Sequence, residues 1–127
     1  MDKLVKVSAD QTIIAEKIVY ADTPRLRKMG VLGRHTLDSN EGVLLVMPPR
    51  LGLSLLYSIH MFGVPFGLAI AWLDKEGNII DQKLAKPGRM YFPRGIFTKT
   101  RFILEVHPDH LPKLKQCKRI HWEEING

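Results

Sequence analysis

Cysteine is almost missing from this chain. Cys117 is the single cysteine among 127 residues, so an internal disulfide and a metal cluster built from several cysteines are both excluded. We interpret Cys117 as a partly buried thiol beside a strand, because nothing around it in the sequence indicates a catalytic cysteine.

Long apolar runs are missing as well. A membrane-spanning helix needs about 20 apolar residues in succession, whereas the run Leu68–Leu73 has only the length of a strand. Residues 1–7 alternate polar and apolar side chains, which is typical of a strand and unlike the continuous apolar core of a signal peptide. The sequence therefore predicts a soluble, cytoplasmic protein that does not bind membranes.

Acidic residues are outnumbered by basic ones. Nineteen Lys and Arg against thirteen Asp and Glu give a formal net charge of +6, which produces a mild field that attracts anions. The basic residues gather at 25–28 and 113–119, but neither cluster carries the interleaved aromatic residues of a nucleic-acid surface. We interpret both clusters as solvated surface rather than as a surface that binds nucleic acid.

Short segments rich in β-branched and apolar residues recur along the whole chain. Together with the turn residues between them, they predict strands at 4–7, 12–20, 43–47, 67–73, 78–84, 101–107 and 119–125. The turn at 74–77, which begins with Asp74 and ends with Gly77, joins two of these strands into a hairpin.

Helices are predicted to be few and short. Thr23 can cap a helix whose first residue is Pro24, and residues 108–112 open a second helix that runs to Gln116. The segment 51–57 fits either a helical turn or a strand. We predict one domain over residues 1–127, mainly β, as a compact antiparallel β-sandwich or barrel with two or three short helices and the hairpin 67–84 at its centre.

The most informative stretch runs from residue 58 to residue 74. A polar, turn-prone segment with His60 leads into Leu68–Leu73, which is apolar on both faces. Successive side chains of a strand point to opposite faces, so this strand is predicted to be buried on two sides. A polar group at the mouth of such a strand is held by a rigid scaffold, and we expect a site there.

The same stretch resembles a motif of a known family. Residues 58–74 are similar to S-I-H-x-F-x-x-x-F-x-I-D-x-x-F-L-D, a motif of the family named domain of unknown function 192. Four further segments resemble this family in the family's order: 21–34, Glu41 to Leu45, 86–89 and Phe102–Val106. Together the segments span about residues 20 to 107. The resemblance implies a compact β-rich sandwich with short helices, and the family has no established reaction.

Two positions depart from the family pattern. Ala69 stands where relatives carry an aspartate within the long strand, and Gly88 stands where they often carry a tryptophan. If that aspartate serves a reaction in the family, this chain has lost it, which argues against catalysis near the strand.

His60, Arg34, Arg89, Glu41 and Glu105 are the candidate ligand-binding residues. An imidazole can act as acid, base or ligand, although His60 can equally stabilise its own turn. Arg34 and Arg89 present planar forks that suit carboxylate or phosphate oxygens. Alternatively, they form internal salt bridges to Glu41 or Glu105, since an unpaired carboxylate on an apolar strand is costly.

The functional hypothesis that these residues favour is a non-catalytic binding or interaction module for an anionic or polar small ligand, or for a protein partner. The alternative is a hydrolase-like or metal-assisted enzyme in which His60 works with Glu41 or Glu105. Weak nucleic-acid binding ranks third. The sequence shows no complete catalytic set, and we predict no catalytic residue, no metal ligand and no cofactor.

Overall fold

A computed structural model of the chain describes residues 2–125, and strands account for 43% of it. The helices are Pro24–Met29 (α1) and Leu111–Gln116 (α2), with short 3₁₀ helices at Ser54–Tyr57 and Pro108–His110. The strands are Leu4–Ala9 (β1), Thr12–Ala21 (β2), Glu41–Val46 (β3), Ile59–His60 (β4), Leu68–Leu73 (β5), Ile79–Ala85 (β6), Met90–Tyr91 (β7), Phe102–Val106 (β8) and Ile120–Glu124 (β9). The prediction of a mainly β fold with short helices is confirmed.

Seven strands form one curled sheet in the order β6-β5-β8-β3-β2-β1-β9, and β4 pairs with β7 apart from it. The sheet is mixed, because β2 and β3 run parallel, from Lys17 beside Glu41 to Ala21 beside Leu45. This differs from the predicted antiparallel arrangement. The connection 22–40 contains α1 and carries the chain back so that β3 begins beside Lys17, which is the crossover that a parallel pair requires.

The two ends of the sheet approach each other and make it a half-barrel. The backbone N–H of Ile79 donates to the carbonyl of Lys118 at 3.0 Å, and that of Ile120 donates to Gly77 at 2.8 Å. Gly77 has a φ of +87°, and a Cβ there would overlap the carbonyl oxygen of Ile120. Glycine is therefore required both by the turn and by the close approach of the sheet ends.

The hairpin of β5 and β6 lies at one end of the sheet, so its predicted central position is wrong. Its turn is as predicted. The carboxylate of Asp74 accepts hydrogen bonds from the backbone N–H groups of Glu76 and Asn78, both at 2.9 Å.

Strand β5 is buried on both faces, as its sequence predicted. One face carries Leu68, Ile70 and Trp72, and the other carries Ala69, Ala71 and Leu73. We call the first apolar cluster the cavity-side layer; it includes Val31, Val43, Leu45, Ile59, Met61, Val64, Leu68, Ile70, Trp72 and Ile103. The second is the helix-side layer; it includes Val5, Val7, Ile18, Leu44, Ala69, Ala71, Leu73, Leu104, Val106, Leu114 and Ile120.

The local helix signals are also confirmed. Thr23 caps α1 by accepting a hydrogen bond from the backbone N–H of Leu26 at 3.2 Å, and Pro24 is the first helical residue. The helix ends at Gly30, whose φ is +45°. The ambiguous segment 51–57 contains the 3₁₀ helix Ser54–Tyr57, preceded by a bridge between Leu53 and Phe97.

Trp72 offers a direct test of where the core lies. Its side chain is fully buried, and its indole N–H donates to the carbonyl of Tyr57 at 2.8 Å. We expect Trp72→Ala to lower the free energy of unfolding by ~3–5 kcal/mol, measured by urea denaturation. Trp122→Ala is the matched control, since Trp122 is only partly buried against Phe102. Equally small losses in both variants would show that the core is misplaced.

Candidate functional site

Glu105 is a buried carboxylic acid in the middle of the sheet. It lies on β8 between Val43 of β3 and Ile70 of β5, and both of these neighbours belong to the cavity-side layer. Cross-strand neighbours point to the same face of a sheet, so Glu105 faces the cavity-side layer too. Only 5% of the residue is exposed.

A cavity of about 340 Å³ opens over this face of the sheet. Its wall is formed by α1 and the residues after it, by the ends of β3 and β5, and by the segment around β4. The residues that line it include Glu105, Gly30, Val31, Leu45, Ile59, Val64, Leu68 and three methionines, Met29, Met47 and Met61. Most of these side chains are apolar, and Glu105 is the carboxylic acid among them.

The Oε1 atom of the Glu105 carboxyl is buried without compensation. It has no hydrogen-bond partner among the described residues 2–125. Burial disfavours the charged form and raises the pKa of Glu105 from 4.5 to about 7. The proton is therefore bound over a range of pH in which ordinary glutamates are ionised.

Gly30 makes room for this carboxyl. A Cβ at Gly30 would stand 3.4 Å from Glu105 Oε1, and the φ of +45° at this residue disfavours any side chain. The end of α1 and the carboxyl are thus packed directly against each other, with backbone rather than a side chain above the acid.

Basic side chains border the cavity. Arg27, Lys28, Arg50 and His60 line it, and Lys28 and Arg50 are exposed. The guanidinium of Arg27 donates to the carbonyl of Val46 at 3.2 Å. The arrangement places one buried acid inside an apolar cavity and positive charge at its border.

His60 lies at this cavity, as a candidate site residue at the mouth of the buried strand should. It forms β4 with Ile59, pairs with Met90 of β7 and is exposed. Its ring stacks on Phe62 with the ring centres 5.5 Å apart. His60 and Glu105 are the two candidate residues that line the same cavity.

Arg34 lies in a neighbouring concavity, which shares Met61 and Val64 with the first and is also lined by Gly88. Its guanidinium donates to the carboxylate of Glu41 at 3.1 Å, and both side chains are about one third exposed. Of the two internal partners left open for Arg34, the structure pairs it with Glu41.

Arg89 follows Gly88 and is exposed. Its backbone carbonyl accepts a hydrogen bond from the N–H of Met61 at 2.7 Å, which connects the 86–89 segment to the residue after His60. Arg34 and Arg89 therefore both lie near the His60 end of the domain, although neither lines the cavity that contains Glu105.

Ala69 does not bear on this cavity. It belongs to the helix-side layer, whereas Glu105 faces the cavity-side layer. The missing family aspartate at Ala69 is thus a difference on the opposite face of the sheet. The sequence argument that its loss weighs against catalysis near the strand therefore concerns that face and stays a prediction.

Several lining residues were missed by the sequence analysis. Lys28 belongs to a basic cluster that was interpreted as solvated surface only, and Arg50 was not singled out. Gly30 lies in a segment that resembles the family, and this resemblance is the one sequence feature that could have pointed to it as a site residue. Nothing local in the sequence indicated that Met29 and Met47 would meet at the same cavity.

Metal-binding groups and membrane-spanning helices are both absent from the described residues. Across residues 2–125, no group of three or more His, Cys, Asp or Glu side chains is arranged to hold a metal ion. Across the same residues, no helix is long and apolar enough to cross a bilayer.

The raised pKa of Glu105 has a measurable effect on stability. The folded chain holds this proton more tightly than the unfolded chain does, so the free energy of unfolding falls as the pH rises from about 4.5 to about 7 and is level above that. Glu105→Gln cannot titrate and escapes this loss. We expect its stability relative to the unmodified protein to rise across that window, by at most about 3 kcal/mol.

Denaturation by urea at a series of pH values provides the measurement. Glu41→Gln is the control, because Glu41 is partly exposed and paired with Arg34. Parallel pH profiles for Glu105→Gln and the unmodified protein would contradict the assignment of an uncompensated acid at this position.

Solved structures with the same fold include two bacterial proteins. A protein of unknown function from Novosphingobium aromaticivorans has a TM-score of 0.71 and 18% identity, over 94% of this chain and 82% of that one. A protein from Sinorhizobium meliloti, described as a candidate transcription regulator, has a TM-score of 0.74 and 16% identity, over 98% of this chain and 94% of that one. At these identities the likeness shows the fold alone.

Sequence comparisons give the family. A UPF0127 protein from Thermococcus sibiricus is 29% identical over 90 residues, which are 71% of this chain and 54% of that protein. The chain thus spans about half the length of this curated relative. The family model DUF192, described as "Uncharacterized ACR", matches residues 5–119. With nearly the whole chain matched and the motifs in order, the chain belongs to the DUF192 family, to which the UPF0127 protein also belongs.

Proposed function

We propose that this protein is a binding module that holds a small polar ligand in the cavity above Glu105. The observation that carries the proposal is the buried carboxyl whose Oε1 has no hydrogen-bond partner in the described part of the chain. Native proteins satisfy most buried polar groups, and an exception calls for a physical explanation. A ligand that donates a hydrogen bond to Glu105 supplies one.

The cost of burying this acid supports the same interpretation. Removing a polar group from water without a new hydrogen bond is unfavourable, and an apolar residue at position 105 would avoid that cost. Glu105 lies between Val43 and Ile70, where an apolar side chain suits the layer. A bound donor, such as an amine or an amide N–H, would return the lost hydrogen bond whenever the ligand is present.

The shape and the charge of the cavity suggest the rest of the ligand. A volume of about 340 Å³ lies at the lower end of the range typical of small-molecule sites. Its apolar wall favours a short hydrocarbon or ring, and Lys28 and Arg50 at its border favour an anionic group at the outer end. We therefore propose a small amphipathic ligand with a donor at the inner end and an anionic or polar group outside.

Ligand-observed NMR with a fragment library grouped into amines, neutral amides and carboxylic acids tests this proposal. We expect fragments that carry a donor on a short apolar body to bind the unmodified protein. Glu105→Gln should weaken binding of the amines by roughly tenfold or more, since it removes a charge-assisted hydrogen bond. The matched control Glu16→Gln, at an exposed carboxylate on β2 outside the cavity, should leave binding unchanged.

Two results would contradict the proposal. One is equal binding of the amines by Glu105→Gln and by the unmodified protein. The other is a set of fragments whose contacts lie outside the cavity, as mapped by backbone amide shifts. Circular dichroism of each variant verifies that the fold is retained, so that a loss of binding is not a loss of structure.

A second function is supported by one further observation, namely that His60 and Glu105 line the same cavity. An acid whose pKa is about 7 is suited to proton transfer near neutral pH, and an imidazole can act as its partner acid or base. This combination supports the hydrolase-like alternative with His60 and Glu105 as general acid and base. The metal-assisted form has no ligand set among residues 2–125.

Hydrolysis of 4-nitrophenyl acetate, with a pH profile, tests the enzymatic alternative. If the alternative holds, His60→Ala and Glu105→Gln should each lower the rate by roughly a hundredfold or more, the size typical of general acid–base catalysis. His35→Ala is the matched control, because His35 is exposed and lines the neighbouring concavity instead. If none of the three variants changes the rate, His60 and Glu105 have no role in hydrolysis.

A further inference from the structure

Four large apolar side chains stand out from the surface. The exposed fraction is 75% for Leu51, 71% for Leu55, 76% for Ile96 and 75% for Phe97. The other large hydrophobic residues in the described part of the chain are at most 54% exposed. We call these four residues the apolar tip. Their exposure is costly in water and calls for a partner that covers them.

The apolar tip is formed by two loops that are bonded to each other. The backbone N–H of Ser54 donates to the carbonyl of Ile96 at 2.9 Å, and that of Thr98 donates to Gly52 at 2.7 Å. Leu53 and Phe97 form an antiparallel bridge between these bonds. The four side chains therefore belong to one structured region rather than to two separate loops.

The charge of this region is positive. Residues 42–73 contain Arg50 and no acidic residue, and residues 82–104 contain no acidic residue either, but carry Lys83, Lys86, Arg89, Arg94, Lys99 and Arg101. The excess positive charge of the protein is thus concentrated in the two segments that carry the apolar tip.

Three basic side chains lie beside the apolar tip, namely Arg50, Arg94 and Lys99. Arg50 donates to the carbonyl of Leu56 at 3.3 Å, and Arg94 and Lys99 line the same shallow concavity as Phe97. Asp74 also lines that concavity, but its carboxylate is engaged within its own turn.

One further acid lies close to this set. Arg94 contacts Asp81 at 3.3 Å, and Lys83 lies 3.8 Å from the same carboxyl group. Asp81 therefore offsets part of the charge of these two residues. Arg50, Lys99 and Arg101 are all exposed.

We propose that the apolar tip inserts into the surface of an anionic phospholipid membrane, while the basic residues beside it contact the headgroups. Surface-bound proteins commonly combine Leu or Phe side chains that enter the acyl boundary with Lys and Arg that attract anionic lipid. This partner differs from the sequence expectation that the protein does not bind membranes. The four residues of the apolar tip do not line the cavity above Glu105, although Arg50 borders both.

Charge favours a membrane over another copy of the chain as the partner of the apolar tip, and the paired backbone of the tip is compatible with insertion. Polar backbone groups that enter an apolar region must be paired, and the two loops pair the N–H groups of Ser54 and Thr98 with each other's carbonyls. A second copy would bring a second positive surface against the first, and like charges disfavour that contact.

Co-sedimentation of the full chain with phosphatidylcholine vesicles, with and without phosphatidylglycerol, tests the proposal. The unmodified protein should partition into the vesicles that contain phosphatidylglycerol and should do so more weakly as salt is added. The partition coefficient of the double variant Ile96→Ser with Phe97→Ser should be lower by roughly tenfold or more, because two large apolar side chains no longer insert. Ile13→Ser, at a half-exposed isoleucine on β2, is the matched control and should bind normally.

A second pair of variants tests the charges. Lys99→Gln should lower partition into the anionic vesicles by roughly fivefold, because Lys99 lines the same concavity as Phe97. Lys115→Gln, which changes an exposed lysine on α2, should have a smaller effect.

Three results would overturn the proposal. The first is no partition into either kind of vesicle. The second is partition that depends on charge and is unchanged when Ile96 and Phe97 become serine, which is adsorption without insertion. The third is a concentration-dependent dimer in solution that the same double variant abolishes, which would make a second copy the occupant of the apolar tip.

Discussion

Burial of the central strands between two apolar layers is the constraint on which the rest of this structure depends. Strand β5 alternates between the layers, so that Ile70 faces one and Ala69 the other. Strand β8 pairs beside it and is subject to the same rule, which sends Glu105 into the cavity-side layer. Enclosure of the sheet removes the Glu105 carboxyl from water, and the raised pKa of this residue follows from it.

The parts of the fold that the sequence predicts are those set by neighbouring residues. Asp74 and Gly77 define a turn through their own hydrogen bonds and φ, and Thr23 caps the helix that it precedes. The parallel pairing of β2 with β3, and the place of the β5–β6 hairpin at one end of the sheet, depend on partners distant in the sequence. Periodicity reports which residues are buried, but it does not report which strand lies beside which.

The candidate site shows the same division. Motif resemblance and an apolar strand selected His60 and Glu105, and the structure brings both to one cavity. The sequence also left open an internal salt bridge of Arg34 to Glu41 or Glu105, and in the structure Arg34 pairs with Glu41. It could not predict that Glu105 would have an unpartnered Oε1 among the described residues, because that depends on how the end of α1 packs over β8, where Gly30 approaches the carboxyl.

The position of β1 has a consequence for the order of folding. This strand lies between β2 and β9, with Val5 beside Glu124, so strands from opposite ends of the sequence are direct neighbours. While the chain is being synthesised, β1 can pair with β2 at once, but its other edge stays open until residues 120–124 have emerged. Such distant pairing must first overcome the entropy of closing a long loop. Until then the growing chain exposes one unpaired edge of β1.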